Sequence, residues 1–134
     1  MRKIQLWSSI HTNITFKMVI GFKERFIKPI LARTKLHTIR GDSHNRWKIG
    51  MRMHMATGVR TKKYNQFNEE ICKSVQKIKI YSYPEIIIID GRKLSYPEIS
   101  DLSKNDGFES IDEFWSWFYP DFEGKIIHWT ELKY

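Results

Sequence analysis

A single cysteine, Cys72, leaves this 134-residue chain without an internal disulfide and without the thiolate set of a zinc ribbon. The five histidines, His11, His37, His44, His54 and His128, stand at no metal-ligand spacing, so neither a metal nor a cofactor is expected. No apolar run approaches the roughly 18 residues of a membrane helix; the longest, Ile86 to Ile89, has four. Arg2 and Lys3 stand near the start, but polar residues interrupt what would have to be the apolar segment of a signal peptide. Repeats, linkers and low-complexity tracts are missing too. These absences point to one soluble, cytoplasmic domain in a reducing compartment, with no membrane partner and with Cys72 chemically inert.

Aromatic and basic residues are plentiful. Aromatics make up 14% and hydrophobic residues 41%, enough for a core and too apolar for disorder. Residues 1–82 hold 18 Lys and Arg against 4 Asp and Glu, or +14; residues 83–134 hold 5 against 11, or −6, and together these give the net +8. Such a split suggests a face that attracts a polyanion and another that is acidic. Trp47, Tyr64 and Phe67 are interleaved with the basic residues, and nucleobases stack on such rings.

Along the chain, residues 1–17 read as an N-terminal extension, with Met18 a natural start and residues 18–134 a single domain. Phe22, Phe26, Ile27, Ile30 and Leu31 recur at helical spacing, with Pro29 tolerated only in a first turn. Lys35 to Arg40 reads as a strand, Gly41 to Asn45 as a loop, and Met51, Met53 and Met55 as the buried face of a strand. A polar, basic stretch follows to Phe67. Val75, Ile78 and Ile80 suggest a strand, and Asp90-Gly91 a hairpin turn between Ile86–Ile89 and Arg92–Leu94. Ser95 to Glu98 and Ser110 to Glu113 read as capping boxes, the second ahead of an apolar face of Ile111, Phe114, Trp115 and Phe118. Ile126, Ile127 and Trp129 close the chain as a last strand. The expected fold is α+β, a small mixed β-barrel with helices packed outside.

The segment Arg33-Thr-Lys-Leu-His-Thr-Ile-Arg40 is the densest in chemistry. It resembles the Gly-x-Lys-x-x-Glu-x-Arg motif of the ASCH domains, a branch of the PUA-like superfamily. Arg33 stands at the Gly, Lys35 at the Lys, Thr38 at the Glu and Arg40 at the Arg. Thr at the third position is shared with the small bacterial N4-acetylcytidine amidohydrolases of that superfamily. So is the surrounding run of Phe22, Arg25, Phe26, Ile30, Leu31, Ile39, Trp47, Lys48 and Gly50, and the likeness covers residues 19–58. A weaker echo spans 98–131, where Asp106-Gly107-Phe108 looks like the family's Glu-Gly-Phe element. The resemblance implies a PUA-like barrel whose cleft holds a catalytic set of Lys35, Thr38 and Asp106. A hydroxyl beside an amine base suits attack on an amide carbonyl, and a carboxylate suits the proton transfer.

Each of these residues has a plainer reading. Lys35 fits equally as a solvated lysine, Thr38 as a β-former and Asp106 as a turn residue between helices. His37 reads as a strand-surface residue, Arg40 as a phosphate ligand or the partner of an acid in 98–113, and Trp47 as a core lid or a stacking platform. Three functions follow. The first is an ASCH-like module binding RNA or a modified nucleotide in a basic cleft through Arg40, Arg46, Trp47, Lys48, Arg52, Arg60, Lys62, Lys63 and Tyr64. The second is a metal-independent hydrolase, acting on an N4-acylated cytidine or on single-stranded RNA. The third is a protein-interaction domain.

Overall fold

The computed structural model describes residues 17–134. Eight strands form two sheets. β1 (Lys17–Gly21), β3 (Arg52–Thr57) and β4 (Asn65–Ile71) make a three-stranded sheet in the order β1-β3-β4. β2 (His37–Arg40), β5 (Ser74–Ser82), β6 (Glu85–Ile89), β7 (Arg92–Lys93) and β8 (Asp121–His128) make the other, in the order β2-β8-β5-β6-β7. Three α-helices accompany them: α1 (Ile27–Leu31), entered through a 3-10 turn at Glu24–Phe26, α2 (Tyr96–Asn105) and α3 (Ile111–Trp117). No helix among the described residues is long and apolar enough to cross a membrane.

Strand alternation decides how the layers stack. Along β5, Ile78 and Ile80 are buried while Lys77, Lys79 and Tyr81 are exposed, so one face turns to a core and the other to water. Ile78, Ile80, Ile87, Ile89 and Ile126 meet α2 and α3 in one apolar cluster that contains Leu102, Phe108 and Phe114. Ile127, next in sequence to Ile126, points the other way. It joins Trp129 to a second cluster built on Ile20, Met53 and Met55 of the three-stranded sheet and on Met51 just before β3. The terminal part of β8 is thus buried on both faces.

Local chemistry sets the connections. Asp90 and Gly91 both take positive φ, 49° and 82°, the backbone of a two-residue hairpin turn between β6 and β7. Ser95 and Glu98 form a complete capping box at α2. At α3 the Ser110 hydroxyl accepts from Glu113 N at 3.1 Å, but the Glu113 carboxylate turns to Glu109 N and to Arg25 instead of closing the box.

Several expectations are corrected. The fold is α+β and strand-dominated, but the ladders stay in two separate sheets and do not close into one barrel. Between β1 and β2 the join is a side chain: the Arg40 guanidinium donates to Gly21 O at 2.6 Å. The strand expected over 35–40 is confined to His37–Arg40. Lys17 already lies in β1, which pairs parallel with β3; the rest of the expected extension lies outside the described residues. The polar stretch to Phe67 contains the start of β4. Leu31, counted on the apolar face of the first helix, is exposed.

Candidate functional site

The segment before β2 is placed by two turns. After α1, the amides of Thr34 and Lys35 both donate to Pro29 O, at 2.9 and 3.0 Å, and Arg33 takes φ 61° to make the reversal. Leu36 N then donates to Asn105 O at 2.7 Å, which ties this segment to the end of α2. There Asp106 is the C-cap. Gly107 N donates to Lys104 O at 2.9 Å and Phe108 N to Ser103 O at 3.1 Å. This double closure needs a left-handed residue after the cap, and Gly107 supplies it at φ 92°. Any Cβ on Gly107 would lie 3.0 Å from Lys35 Cδ, so this glycine also makes room for the lysine.

Lys35 and Asp106 meet as a consequence. The Lys35 ammonium donates to Asp106 O at 2.6 Å, to His37 O at 2.9 Å, and reaches Asp106 Oδ1 at 3.5 Å. Both residues are buried, Lys35 at 2% exposure and Asp106 at 4%. Asp106 is therefore no solvent-facing linker residue and Lys35 no solvated lysine. Burial pulls the Lys35 pKa below its ordinary value; the Asp106 charge opposes this, and Arg40 adds to it. His37, expected on the strand surface, is fully buried. Its Nδ1 lies 2.9 Å from Asp106 Oδ1 and its Nε2 2.7 Å from the Tyr134 hydroxyl, which in turn accepts from Asn105 Nδ2 at 3.0 Å. Burial holds His37 below the ordinary imidazole value against the opposing pull of Asp106.

Above this floor opens a cavity of about 370 Å³ whose lining includes Lys35, Thr38, Arg40 and Asp106, with Phe22 and Trp117 among its aromatic walls. Lys35 Nζ lies 4.8 Å from the centre of the Phe26 ring, and the Arg40 guanidinium 4.8 Å from that of Phe22. Arg40 Nε donates to Thr38 Oγ1 at 3.1 Å, leaving the hydroxyl proton of Thr38 free for another acceptor. Burial lowers the Arg40 pKa to about 10, with the Asp106 charge opposing it. A Thr hydroxyl, two cations and a carboxylate thus converge on one aromatic-walled cleft, an arrangement suited to a small polar ligand with a flat ring.

The remaining basic residues spread more widely. Arg60, Lys62 and Lys63 are exposed on the turn between β3 and β4, beside Val59, which lines the cleft; Tyr64 follows them and is exposed. Lys48 is exposed. Arg52 pairs with Glu69 at 3.2 Å. Arg46 sits on a different and larger groove of about 600 Å³, bordered by Lys77, Lys79 and Lys125. Asp42, a buried carboxylate in that groove, is already taken by the amides of Arg46 and Trp47 and by Lys125. Lys35, Thr38, Arg40 and Asp106 line the smaller cavity and not this groove.

Trp47 is a correction. Asp42 draws its amide inward, and the indole packs, 5% exposed, into the methionine-rich core. It presents no stacking face. Cys72 is buried, with its thiol pushed up to about 11 by that burial. Sequence reasoning gave no site role to Asn105 or Tyr134. Nothing marks Tyr134 in the sequence; it is held by Gln76, which donates to Tyr134 O at 2.7 Å and accepts from Tyr134 N at 2.9 Å.

Compared with family models, with curated proteins and with solved structures, the chain gives no match.

Proposed function

We propose that the cleft binds a nucleobase-bearing ligand, either a modified nucleoside or a nucleotide of RNA, as the resemblance to the ASCH domains implies. The observation that carries this reading is the buried Lys35–Asp106 pair on the floor of an aromatic-walled cavity of nucleoside size. A flat heterocycle is matched by Phe22, Phe26 and Trp117, and its edge groups by Lys35, Asp106 and Thr38. Arg60, Lys62 and Lys63, on the turn that carries Val59 to the rim, are placed to meet phosphates. Further support comes from Arg33: its left-handed backbone stands where the ASCH motif has glycine.

A second reading is favoured by the Thr38–Arg40 hydrogen bond. A hydroxyl that accepts from a guanidinium is biased toward its alkoxide, and an amine of lowered basicity lining the same cavity can take the proton. In this reading Lys35 reacts as the free amine. Thr38 Oγ1 attacks the carbonyl of an N4-acyl group, and Lys35 Nζ takes the hydroxyl proton and hands it by way of Asp106 to the departing N4 amine as the carbon–nitrogen bond breaks. The acyl group remains on Thr38 as an ester. Hydrolysis of the resulting ester by water then frees Thr38. Calorimetry with cytidine and N4-acetylcytidine, together with chromatography of the incubated acetyl compound, tests both readings. Binding of both ligands is expected, weakened about tenfold or more in Lys35→Met. Release of cytidine that Thr38→Val abolishes selects the hydrolase. Absence of binding by either nucleoside would reject a nucleoside site.

A further inference from the structure

We infer that His37 is a positioning residue: through a hydrogen-bonded line Asn105–Tyr134–His37 it holds the Asp106 carboxylate in one orientation, with Oδ2 turned to the ligand. The inference rests on the cleft reading given above, although its geometry is independent of the ligand.

Donor bookkeeping fixes the line. Asn105 Nδ2 is a donor only, so the Tyr134 oxygen accepts from it and the Tyr134 proton is available to His37 Nε2 at 2.7 Å. An Nε2 that accepts leaves the proton of a neutral imidazole on Nδ1, which then donates to Asp106 Oδ1 at 2.9 Å. Lys35 also approaches Oδ1. Both contacts fall on the same oxygen, and Oδ2 has no hydrogen-bond partner among the described residues. Nor is it among the buried unpartnered side-chain atoms, which are Ser74 Oγ, Ser82 Oγ and His128 Nδ1. Oδ2 is therefore open to the cleft that Asp106 lines.

Two consequences follow. As a carboxylate, Oδ2 only accepts, so the ligand group facing it must be an N–H or O–H donor, such as an exocyclic amine or amide. The line also keeps His37 neutral, because protonation at Nε2 would force the Tyr134 hydroxyl to turn away. The titratable and charged groups around His37 are Asp106 at the C-cap of α2, Lys35 on its own segment, Tyr134, and His128 of β8, whose ring centroid lies 5.2 Å away.

Two-bond nitrogen–proton NMR of the isotope-labelled chain reads the tautomer directly. A neutral His37 with its proton on Nδ1 is expected; a proton on Nε2 would overturn the inference. In Tyr134→Phe, with the donor to Nε2 removed, His37 should take up its proton at a pH higher by about one unit or more. N4-acetylcytidine affinity should then fall where His37 is neutral, because its proton is free to sit on Nε2 and Nδ1 no longer donates to Asp106, and should recover at lower pH as the imidazolium restores the Nδ1 proton. An unmoved His37 titration, or an equal loss of affinity at every pH, would reduce Tyr134 and His37 to packing. His37→Asn, which retains a donor near the Nδ1 position, should keep more affinity than His37→Leu. Should Tyr134→Phe not fold, Asn105→Ala and the parent tautomer decide the matter. If N4-acetylcytidine does not bind at all, the ligand reading fails, but the two NMR measurements still decide the positioning role.

Discussion

His37 and His128 are both fully buried, their ring centroids 5.2 Å apart. Burial is the leading cause that holds each below the ordinary imidazole value of 6.5, and it takes His128 down to about 3, helped by the neighbouring His37. A group depressed in this way contributes its full stability above 6.5 and loses it as the pH falls toward the folded value, because the unfolded chain binds the proton first. With about 1.4 kcal/mol per pH unit, His128 alone should remove about 2 kcal/mol between pH 6.5 and pH 5, and His37 acts in the same direction. Most carboxylates titrate below that window. Urea unfolding at the two pH values measures the loss. His128→Gln keeps a donor for Gln76 Oε1, the partner of Nε2 at 3.0 Å, and should flatten the dependence. A parent protein equally stable at both values would show that the imidazoles are not buried neutral.

At the scale of elements, α3 shows what a helical pattern does and does not fix. Apolar spacing and the Ser110 cap locate the helix, but the helix has only seven residues, and the pattern leaves its inward face open by one position. Phe114 is the residue with no exposure, at the centre of an aromatic cluster with Phe108 and Phe118, whereas Trp115 is only half-buried. Phe114→Ala should therefore cost about 3–5 kcal/mol and Trp115→Ala clearly less, as read by denaturant midpoints at a constant m-value. Equal losses would place the core on the other side of the helix. The same limit governs the rest of the fold. β5, β6 and the hairpin at Asp90-Gly91 were legible because alternation and turn chemistry are local. β4 was not, because no residue in it is fully buried and no apolar face marks it. In the site, Lys35 and Asp106 were legible through motif and turn. His37 was not, since strand alternation says which residues share a face and leaves open which face is covered. Tyr134 lies 97 positions from His37 and arrives only through the tertiary clamp of Gln76.

For the whole molecule, the uneven charge acquires a location. The +14 half supplies Arg60, Lys62 and Lys63 on the turn that follows Val59 of the cleft lining, and all three are exposed. On the proposed nucleobase reading, a free nucleoside has no phosphate for them, whereas a nucleotide within RNA would bring one on each side of its base. The two ligands must then differ in their response to salt. Three phosphates neutralised on a single strand give a slope near −0.7 per contact, so oligonucleotide affinity should fall about 20-fold between roughly 50 and 200 mM salt. Nucleoside affinity should hold nearly constant over the same range, because its contacts are with buried groups that salt screens poorly. Replacing Arg60, Lys62 and Lys63 together by Ser should remove that slope from oligonucleotide binding and leave the nucleoside unaffected. The exposed turn carries no buried contacts of these side chains, so stability should change little. Fluorescence anisotropy of a labelled single strand at four salt concentrations is sufficient. Oligonucleotide binding that is as flat as nucleoside binding would detach the basic turn from the cleft and leave a small-molecule site alone.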